Sequence, residues 1–128
     1  ESLFPQSKKG TPYLSPHVLV DVDHTMAVMK DESFGPVVGI MKVSNDEEAI
    51  SLMNDSEYGL TASIWSSSIE EAKKLSSKIE TGTVFLNRCD YLDPGLAWTG
   101  VKNTGRGVSL SAYVYDSVTR LKSINFRL

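Results

Sequence analysis

Apolar and polar residues follow one another in short blocks along this chain, and the spacing of the blocks predicts alternating strands and helices. Strands are predicted over four runs rich in apolar or β-branched residues, at 17–22, 37–43, 60–65 and 83–87. The run at 37–43 is apolar almost throughout, which is typical of a strand covered on both faces of a parallel sheet.

Helices are predicted between these strands. A short helix over 26–30 follows the cap-type residues at 23–25. Two longer helices begin at capping boxes, at 44–47 and 68–71, and each box is followed by apolar residues at helical spacing. Gly82 lies just past the end of the second. Strand, helix and strand in this order predict an α/β fold with a parallel sheet flanked by helices and right-handed crossovers.

The remaining segments are irregular or terminal. Residues 1–16 are rich in Pro, Gly, Ser and Lys and predict an irregular lead-in. Residues 88–107 form a polar, glycine-bearing loop, and a loop longer than about 15 residues is usually functional or disordered. A short helix is predicted over 109–118. The tail at 119–128 alternates in polarity, which predicts an edge strand that pairs with another sheet or subunit.

Composition narrows the class of protein. The 128 residues suffice for one modest domain, and their net charge of -3 and pI near 5.3 argue against a nucleic-acid or anionic-membrane surface. No apolar run approaches the roughly 20 residues that a membrane span needs, and no signal-peptide pattern is present. One cysteine, Cys89, excludes an internal disulfide, so we expect a cytoplasmic protein. The chain starts at Glu1 rather than Met, so we expect a fragment, a processed product or an artificially trimmed chain.

Local motifs that carry chemistry are few. The chain has no phosphate-binding glycine loop, no Gly-x-Ser-x-Gly elbow and no Cys/His cluster with metal-ligand spacing, so no metal site is expected. Cys89 follows a strand and is interpreted as a half-buried thiol. Two loops have residue types suited to ligands: Glu32–Pro36 pairs a carboxylate with an aromatic, and Trp98–Gly107 joins three glycines to an indole. Simple loop packing accounts for either loop when it is taken alone.

Five segments, read in order, resemble the aldehyde dehydrogenase superfamily over nearly the whole chain. The segments are Met29 to Val37, Asn45 to Ile50, Asn54 to Ala62, Gly82 to Asn87 and Gly100 to Gly105. The Glu-x-Phe-Gly-Pro motif within the first is among the more specific signatures of that family. On this resemblance, Glu32 would hold the hydroxyls of the nicotinamide ribose and Phe34 would pack near the nicotinamide ring, with NAD or NADP as the cofactor.

The same resemblance implies roles in the second half of the chain. Asn87 corresponds to an asparagine expected to shape the active-site loops. Trp98 stands where the family usually has the phenylalanine of a Pro-Phe-Gly-Gly turn in the substrate tunnel, and Lys102 and Gly105 match the part of that turn that braces the site. Two departures matter: Ala-Trp-Thr-Gly replaces Pro-Phe-Gly-Gly, and residues 107–109 replace a Gly-Arg-Glu whose glutamate can relay protons.

The resemblance implies that residues 1–118 are the C-terminal part of an aldehyde dehydrogenase catalytic domain and that 119–128 are an oligomerisation strand. The full-length parent would be an oxidoreductase that oxidises an aldehyde to a carboxylic acid, as a homodimer or homotetramer. This segment holds no catalytic residue, because the family's nucleophilic cysteine and general-base glutamate lie upstream. Two alternatives remain: a non-catalytic, standalone α/β assembly or binding module derived from that fold, and a generic α/β ligand-binding domain that mimics it.

Overall fold

A computed structural model describes residues 3–89 and 91–128. The chain divides into two compact units, Glu1–Glu48 and Ala49–Leu128. The α/β class predicted from the sequence is confirmed, but the described residues form three separate two-stranded sheets rather than one sheet. Two of the three are parallel, and in each of these a helix lies between the paired strands along the chain.

The first unit is built on one parallel strand pair. It contains β1 (His17–Val20), α1 (Ala27–Lys30) and β2 (Val37–Ile40), and β1 pairs with β2 from end to end. The predicted strand ends two residues early, because Asp21 adopts a left-handed backbone conformation with φ of 55°. The second predicted strand is likewise shortened, from 37–43 to Val37–Ile40.

The turn before α1 is held by a carboxylate. Asp23 accepts hydrogen bonds at 2.8 Å from the backbone N–H of Thr25 and at 2.5 Å from its hydroxyl. The Thr25 hydroxyl, and after it the Thr25 N–H, lowers the pKa of the Asp23 carboxyl below its ordinary value. The predicted cap-type residues therefore form a turn ahead of the helix, whose own N-cap, Met26, makes no side-chain cap.

One face of the β1–β2 sheet is covered and the other is open. On the covered face, a Cβ added to Gly39 would approach the Met29 sulfur at 2.6 Å, so the absence of a side chain lets α1 lie close. The opposite face presents Val18, Val20, Val38 and Ile40, which are 59%, 65%, 53% and 53% exposed. The expectation that 37–43 is covered on both faces is therefore wrong within the described residues. We call these four residues the open face.

Helix α2 (Asp46–Asn54) follows, and it crosses the boundary between the units. Its predicted capping box is displaced by one residue. The Asn45 side chain accepts from the Glu48 N–H at 2.9 Å, and the Glu48 carboxylate accepts from the Ser44 N–H at 2.6 Å. Asparagine therefore caps the helix in the place expected for serine, and Glu48 accepts from the residue before the cap rather than from the cap itself.

The second unit contains the other parallel pair. Its strands are β4 (Thr61–Ile64) and β5 (Thr83–Leu86), separated along the chain by α3 (Ile69–Ser76). The predicted start of α3 is confirmed, since the Ser68 hydroxyl accepts from the Glu71 N–H at 3.2 Å. Ala62 and Ala72 are the buried apolar side chains described in this unit, at 8% and 5% exposure. The core that these elements enclose is thus very small.

An antiparallel pair completes the second unit. Strand β3 (Tyr58–Gly59) pairs with β6 (Val101–Lys102), and Trp98 forms an isolated bridge with Ser109. The composition predicted that the whole of 88–107 is an irregular loop. That prediction is wrong for β6 and for the bridge at Trp98. Pairings of one or two residues are too short to produce the alternation that marks a strand.

The C-terminal part contains one short helix, α4 (Val114–Val118). It begins five residues later than predicted, because Leu110 and Ser111 both have left-handed backbones, with φ of 63° and 55°. Residues 119–128 are exposed and pair with no other described strand, so their predicted pairing with another subunit stays a prediction. Among the described residues, no helix has the length and apolar character needed to cross a bilayer.

Candidate functional site

The loop Glu32–Pro36 is short and fixed at both ends. Helix α1 stops just before it, where the Asp31 N–H donates to the Ala27 carbonyl at 2.8 Å. Within the loop the Gly35 N–H donates to the Ser33 hydroxyl at 3.3 Å. At its end the Pro36 carbonyl accepts from the His17 N–H at 2.8 Å. The loop is thus tied to the starts of both strands of the first unit.

Two side chains of this loop are available to a ligand. Glu32 is exposed, and Phe34 is 93% exposed, so almost none of its ring packs against the described chain. An ionised carboxylate accepts hydrogen bonds from hydroxyls, and an uncovered aromatic face packs on a flat heterocycle. The chemistry of this pair therefore fits a ligand that carries a diol and a planar ring, as a nicotinamide nucleoside does.

Trp98 lies in the second unit on a fixed backbone. Its N–H donates to the Ser109 carbonyl at 2.7 Å, and its carbonyl accepts from the Ser109 N–H at 2.8 Å. The side chain is half-buried and forms part of the wall of an open hollow of about 400 Å³. Loop residues 104–109 form much of the remaining wall. An indole in such a wall can contact the apolar part of a small ligand.

Hydroxyl groups hold the loop that follows Trp98. The Thr99 hydroxyl donates to the Gly107 carbonyl at 2.8 Å, and the Thr104 hydroxyl accepts from the Gly59 N–H at 2.7 Å. Gly105 has φ of 130°, a conformation that strongly favours glycine. The predicted bracing turn around Gly105 is therefore pinned to β3 on one side and to its own start on the other.

Lys102 ties this turn to the rest of the second unit. Its ammonium donates to the carbonyls of Asn54 and Ser56, at 2.6 and 3.1 Å, and pairs with the Glu80 carboxylate at 2.7 Å. The Lys102 backbone is left-handed, with φ of 55°. The Lys102 ammonium thus links the end of α2 to the segment that follows α3.

Asn54 completes the same network, although it lies in a segment that resembles the family and no role was predicted for it. Its side-chain amide donates to the Lys78 carbonyl at 2.8 Å and accepts from the Glu80 N–H at 2.9 Å. The partners are 24 and 26 residues away along the chain, so no local motif could reveal them. We call Asn54, Glu80 and Lys102 the brace.

Replacing Lys102 by methionine is expected to lower the free energy of unfolding by about 1–2 kcal/mol. The change removes two charge-assisted hydrogen bonds and a partly exposed ion pair while keeping the apolar stem. The control is Lys73→Met, which breaks the pair with Glu70 at 69% and 85% exposure and should cost less than about 0.5 kcal/mol. Urea denaturation measures both, and equal losses would contradict the role of the brace.

Asn87 ties the carboxyl ends of β4 and β5 together. Its own N–H donates to the Ile64 carbonyl at 2.8 Å. Its side chain accepts from the Ser66 N–H at 2.9 Å and donates to the Ser66 carbonyl at 2.8 Å. The side-chain amide therefore extends the ladder by one step beyond the strands. The backbone of Asn87 is left-handed, with φ of 54°, a conformation that asparagine tolerates well.

Cys89 is exposed and forms no disulfide, so its interpretation as a half-buried thiol is wrong. The neighbouring Arg88 guanidinium lies over the Tyr91 ring, 3.7 Å from its centroid. No described side chain makes a hydrogen bond to the Cys89 sulfur.

The predicted site residues fall into three places. Glu32 and Phe34 share a loop of the first unit, Trp98, Lys102 and Gly105 share one region of the second, and Asn87 lies at the end of β5. The roles that the resemblance implies for them stay predictions. Across residues 3–89 and 91–128, no group of three or more His, Cys, Asp or Glu side chains could hold a metal ion.

The chain is similar in sequence to known aldehyde dehydrogenases. The model of the aldehyde dehydrogenase family matches residues 2–124. The chain is 33% identical over 111 residues to the NADP/NAD-dependent aldehyde dehydrogenase PuuC of Escherichia coli, covering 87% of this chain and 22% of that protein. It is 38% identical over 112 residues to an aldehyde dehydrogenase of Paenarthrobacter nicotinovorans, covering 88% and 24%.

Solved structures agree with this similarity. An aldehyde dehydrogenase of Mycobacterium tuberculosis, complexed with NAD+, superposes with a TM-score of 0.80 at 33% identity, covering 91% of this chain and 25% of that one. The chain belongs to the aldehyde dehydrogenase family. It spans only about a quarter or less of the length of these relatives.

Proposed function

We propose that this chain is the C-terminal part of the catalytic domain of an NAD(P)-dependent aldehyde dehydrogenase, which oxidises an aldehyde to a carboxylic acid. The observation that carries the proposal is the Glu32–Pro36 loop, where an exposed carboxylate and an uncovered aromatic ring stand two residues apart on a tied turn. Family membership supports the reaction. The cofactor is supported by two relatives, of which one is an NADP/NAD-dependent aldehyde dehydrogenase and the other was solved in complex with NAD+.

The cofactor would be held in part by this loop. Glu32 would accept hydrogen bonds from the hydroxyls of the nicotinamide ribose, and Phe34 would pack against the nicotinamide ring. When bound, the nicotinamide supplies the acceptor for the hydride that leaves the substrate. The residues of this chain would orient that ring and exclude water from one of its sides.

We also propose that residues of the second unit take part in substrate binding. Trp98 would contact the aldehyde, while Asn87, Lys102 and Gly105 would hold the loops in place through the contacts described above. The nucleophile and the general base would come from sequence ahead of Glu1. We also propose that the enzyme is cytoplasmic and assembles as a homodimer or homotetramer, with residues 119–128 as the pairing strand.

In the full-length protein that carries this chain, Glu32→Gln is expected to raise the KM for NAD+ or NADP+ by about tenfold. The amide is a weaker acceptor than the carboxylate for the ribose hydroxyls, and tenfold corresponds to one charge-assisted hydrogen bond. The matched control is Glu47→Gln, an exposed carboxylate in the first turn of α2, which should leave the KM unchanged. Initial rates with saturating aldehyde measure both, and an unchanged KM for Glu32→Gln would contradict the cofactor role.

A non-catalytic assembly or binding module is the second candidate. It is favoured by the amount of apolar surface that the chain leaves uncovered, which includes the open face and the tail residues Leu121 and Phe126, at 99% and 86% exposure. The coding sequence ahead of Glu1, with the intact mass of the natural protein, separates the two. An initiator methionine close to Glu1 favours the module, and an upstream cysteine motif favours the enzyme.

A further inference from the structure

The hollow beside Trp98 contains an arginine that the function described so far does not use. Arg106 lies in the loop 104–109 that lines the hollow, opposite residues that include Leu60 and Ser117. Among the described residues that line the hollow, Arg106 is the one ionisable side chain, and none is a carboxylate. Within the same part of the chain, the Arg106 guanidinium has no ion-pair or hydrogen-bond partner. The described wall of the hollow therefore carries a positive charge.

The backbone of the same loop adds hydrogen-bond donors. The N–H groups of residues 105–108 donate to no acceptor in the described part of the chain, whereas the flanking ones of Thr104 and Ser109 donate to Val101 and Trp98. Gly105, Arg106 and Gly107 are exposed, so these N–H groups are accessible to a ligand that arrives from solvent. Such an arrangement suits an anion with several oxygen atoms.

The loop is held in this conformation by contacts that leave those donors free. The Thr99 hydroxyl binds the carbonyl of Gly107, and the Trp98–Ser109 bridge closes the loop at its base. Gly105 and Gly107 have φ of 130° and 95°, so residues with side chains would be strained on both sides of Arg106. These contacts hold the two ends of the loop and the Gly107 carbonyl, and they leave the N–H groups of residues 105–108 without a partner in the described chain.

We propose that this hollow binds the carboxylate or phosphate group of an anionic aldehyde, and so selects the substrate class of the proposed dehydrogenase. Arg106 pairs with the anion, the N–H groups of residues 105–108 donate to its remaining oxygens, and Trp98 contacts the carbon chain between the anion and the carbonyl. The proposal rests on the proposed function for the identity of the ligand as a substrate. The anion site itself rests on the geometry of the second unit.

Binding to the 128-residue chain tests the anion site without any reaction. Trp65 is 70% exposed, so Trp65→Phe leaves Trp98 as the one fluorescent indole of the chain. Succinate and inorganic phosphate, titrated at constant ionic strength, are expected to change the Trp98 emission saturably, and the neutral diamide of succinate is not. Arg106→Gln should weaken the binding about tenfold, and Lys74→Gln, an exposed charge on α3, should not.

Kinetics on the full-length protein test the substrate class. The kcat/KM for 4-oxobutanoate relative to butanal, and for glyceraldehyde 3-phosphate relative to glyceraldehyde, distinguishes a carboxylate from a phosphate. Arg106→Gln should lower the preferred ratio about tenfold, with Arg106→Lys in between because lysine keeps the charge but not the fork of donors.

The outcomes separate the two proposals. One outcome is saturable anion binding that depends on Arg106, while the full-length protein oxidises none of the four aldehydes. This outcome supports the anion site and refutes the proposed function. A second outcome is oxidation of the anionic and the neutral aldehyde of each pair without preference. A third is anion binding that Arg106→Gln leaves unchanged. Either of these refutes the anion site and leaves the proposed function intact.

Discussion

The 128-residue chain by itself is expected to reduce neither NAD+ nor NADP+ with any aldehyde. Aldehyde oxidation in this family's manner needs a thiolate activated by a neighbouring base. The one cysteine, Cys89, lies exposed after β5, and no described side chain forms a hydrogen bond to its sulfur. Absorbance of the reduced nicotinamide at saturating cofactor, with neutral and anionic aldehydes, measures the rate against a blank without protein.

The control for this prediction uses the cysteine itself. Cys89→Ala should leave the rate at the level of the blank, as in the unaltered chain. A measurable rate in the unaltered chain that disappears in Cys89→Ala would show that Cys89 is a nucleophile and would overturn the assignment of the reactive groups to sequence ahead of Glu1.

Gly82→Ala is expected to lower the free energy of unfolding by about 2–3 kcal/mol, which is the upper end of the range for overpacking a closely packed position. A Cβ at this position would overlap the carbonyl oxygen of Thr99, and backbone cannot turn aside as the end of a flexible side chain can. The Gly82 N–H also donates to the Gly59 carbonyl at 3.1 Å, so three segments cross at this point. Relief of the overlap would displace the loop that carries Trp98.

Gly95→Ala is the matched control. A Cβ at that position would lie 3.3 Å from a carboxylate oxygen of Asp93, which is a movable side-chain atom. Urea denaturation followed by circular dichroism compares the two variants, and the control should lie within about 0.5 kcal/mol of the unaltered chain. A similar small loss for Gly82→Ala would mean that the Thr99 loop shifts at little cost.

The elements that the sequence predicted well are those with local causes. Strands β1, β2, β4 and β5 and helix α3 lie within the segments predicted for them, and α3 begins at the predicted Ser68 cap but ends at Ser76, short of Ile79. Their ends were predicted less well, because the left-handed backbone of a single residue such as Asp21 stops a strand that was predicted to continue through the following apolar residue, Val22. The resemblance located the candidate site residues, but it could not supply the hydrogen bonds that hold them.

The features that pattern could not predict depend on distant partners. The brace joins Asn54, Glu80 and Lys102 across 48 residues of chain, and the pairing of β3 with β6 involves two residues on each side. The hollow at Arg106 has the same character, since its walls come from residues 60 to 117. Polarity along the chain records which face is covered, but not which donor finds which acceptor.

The residue types found at the open-face positions of related chains can indicate whether another segment covers this sheet. In the chain by itself, valine to threonine at Val18, Val20 or Val38 exchanges an apolar group in water for a polar one and reduces the exposed apolar surface. Where another segment covers the sheet, the same exchange buries a hydroxyl at a cost of about 1–3 kcal/mol. The frequency of threonine and serine at these positions among related chains therefore indicates whether the sheet is covered in the working protein.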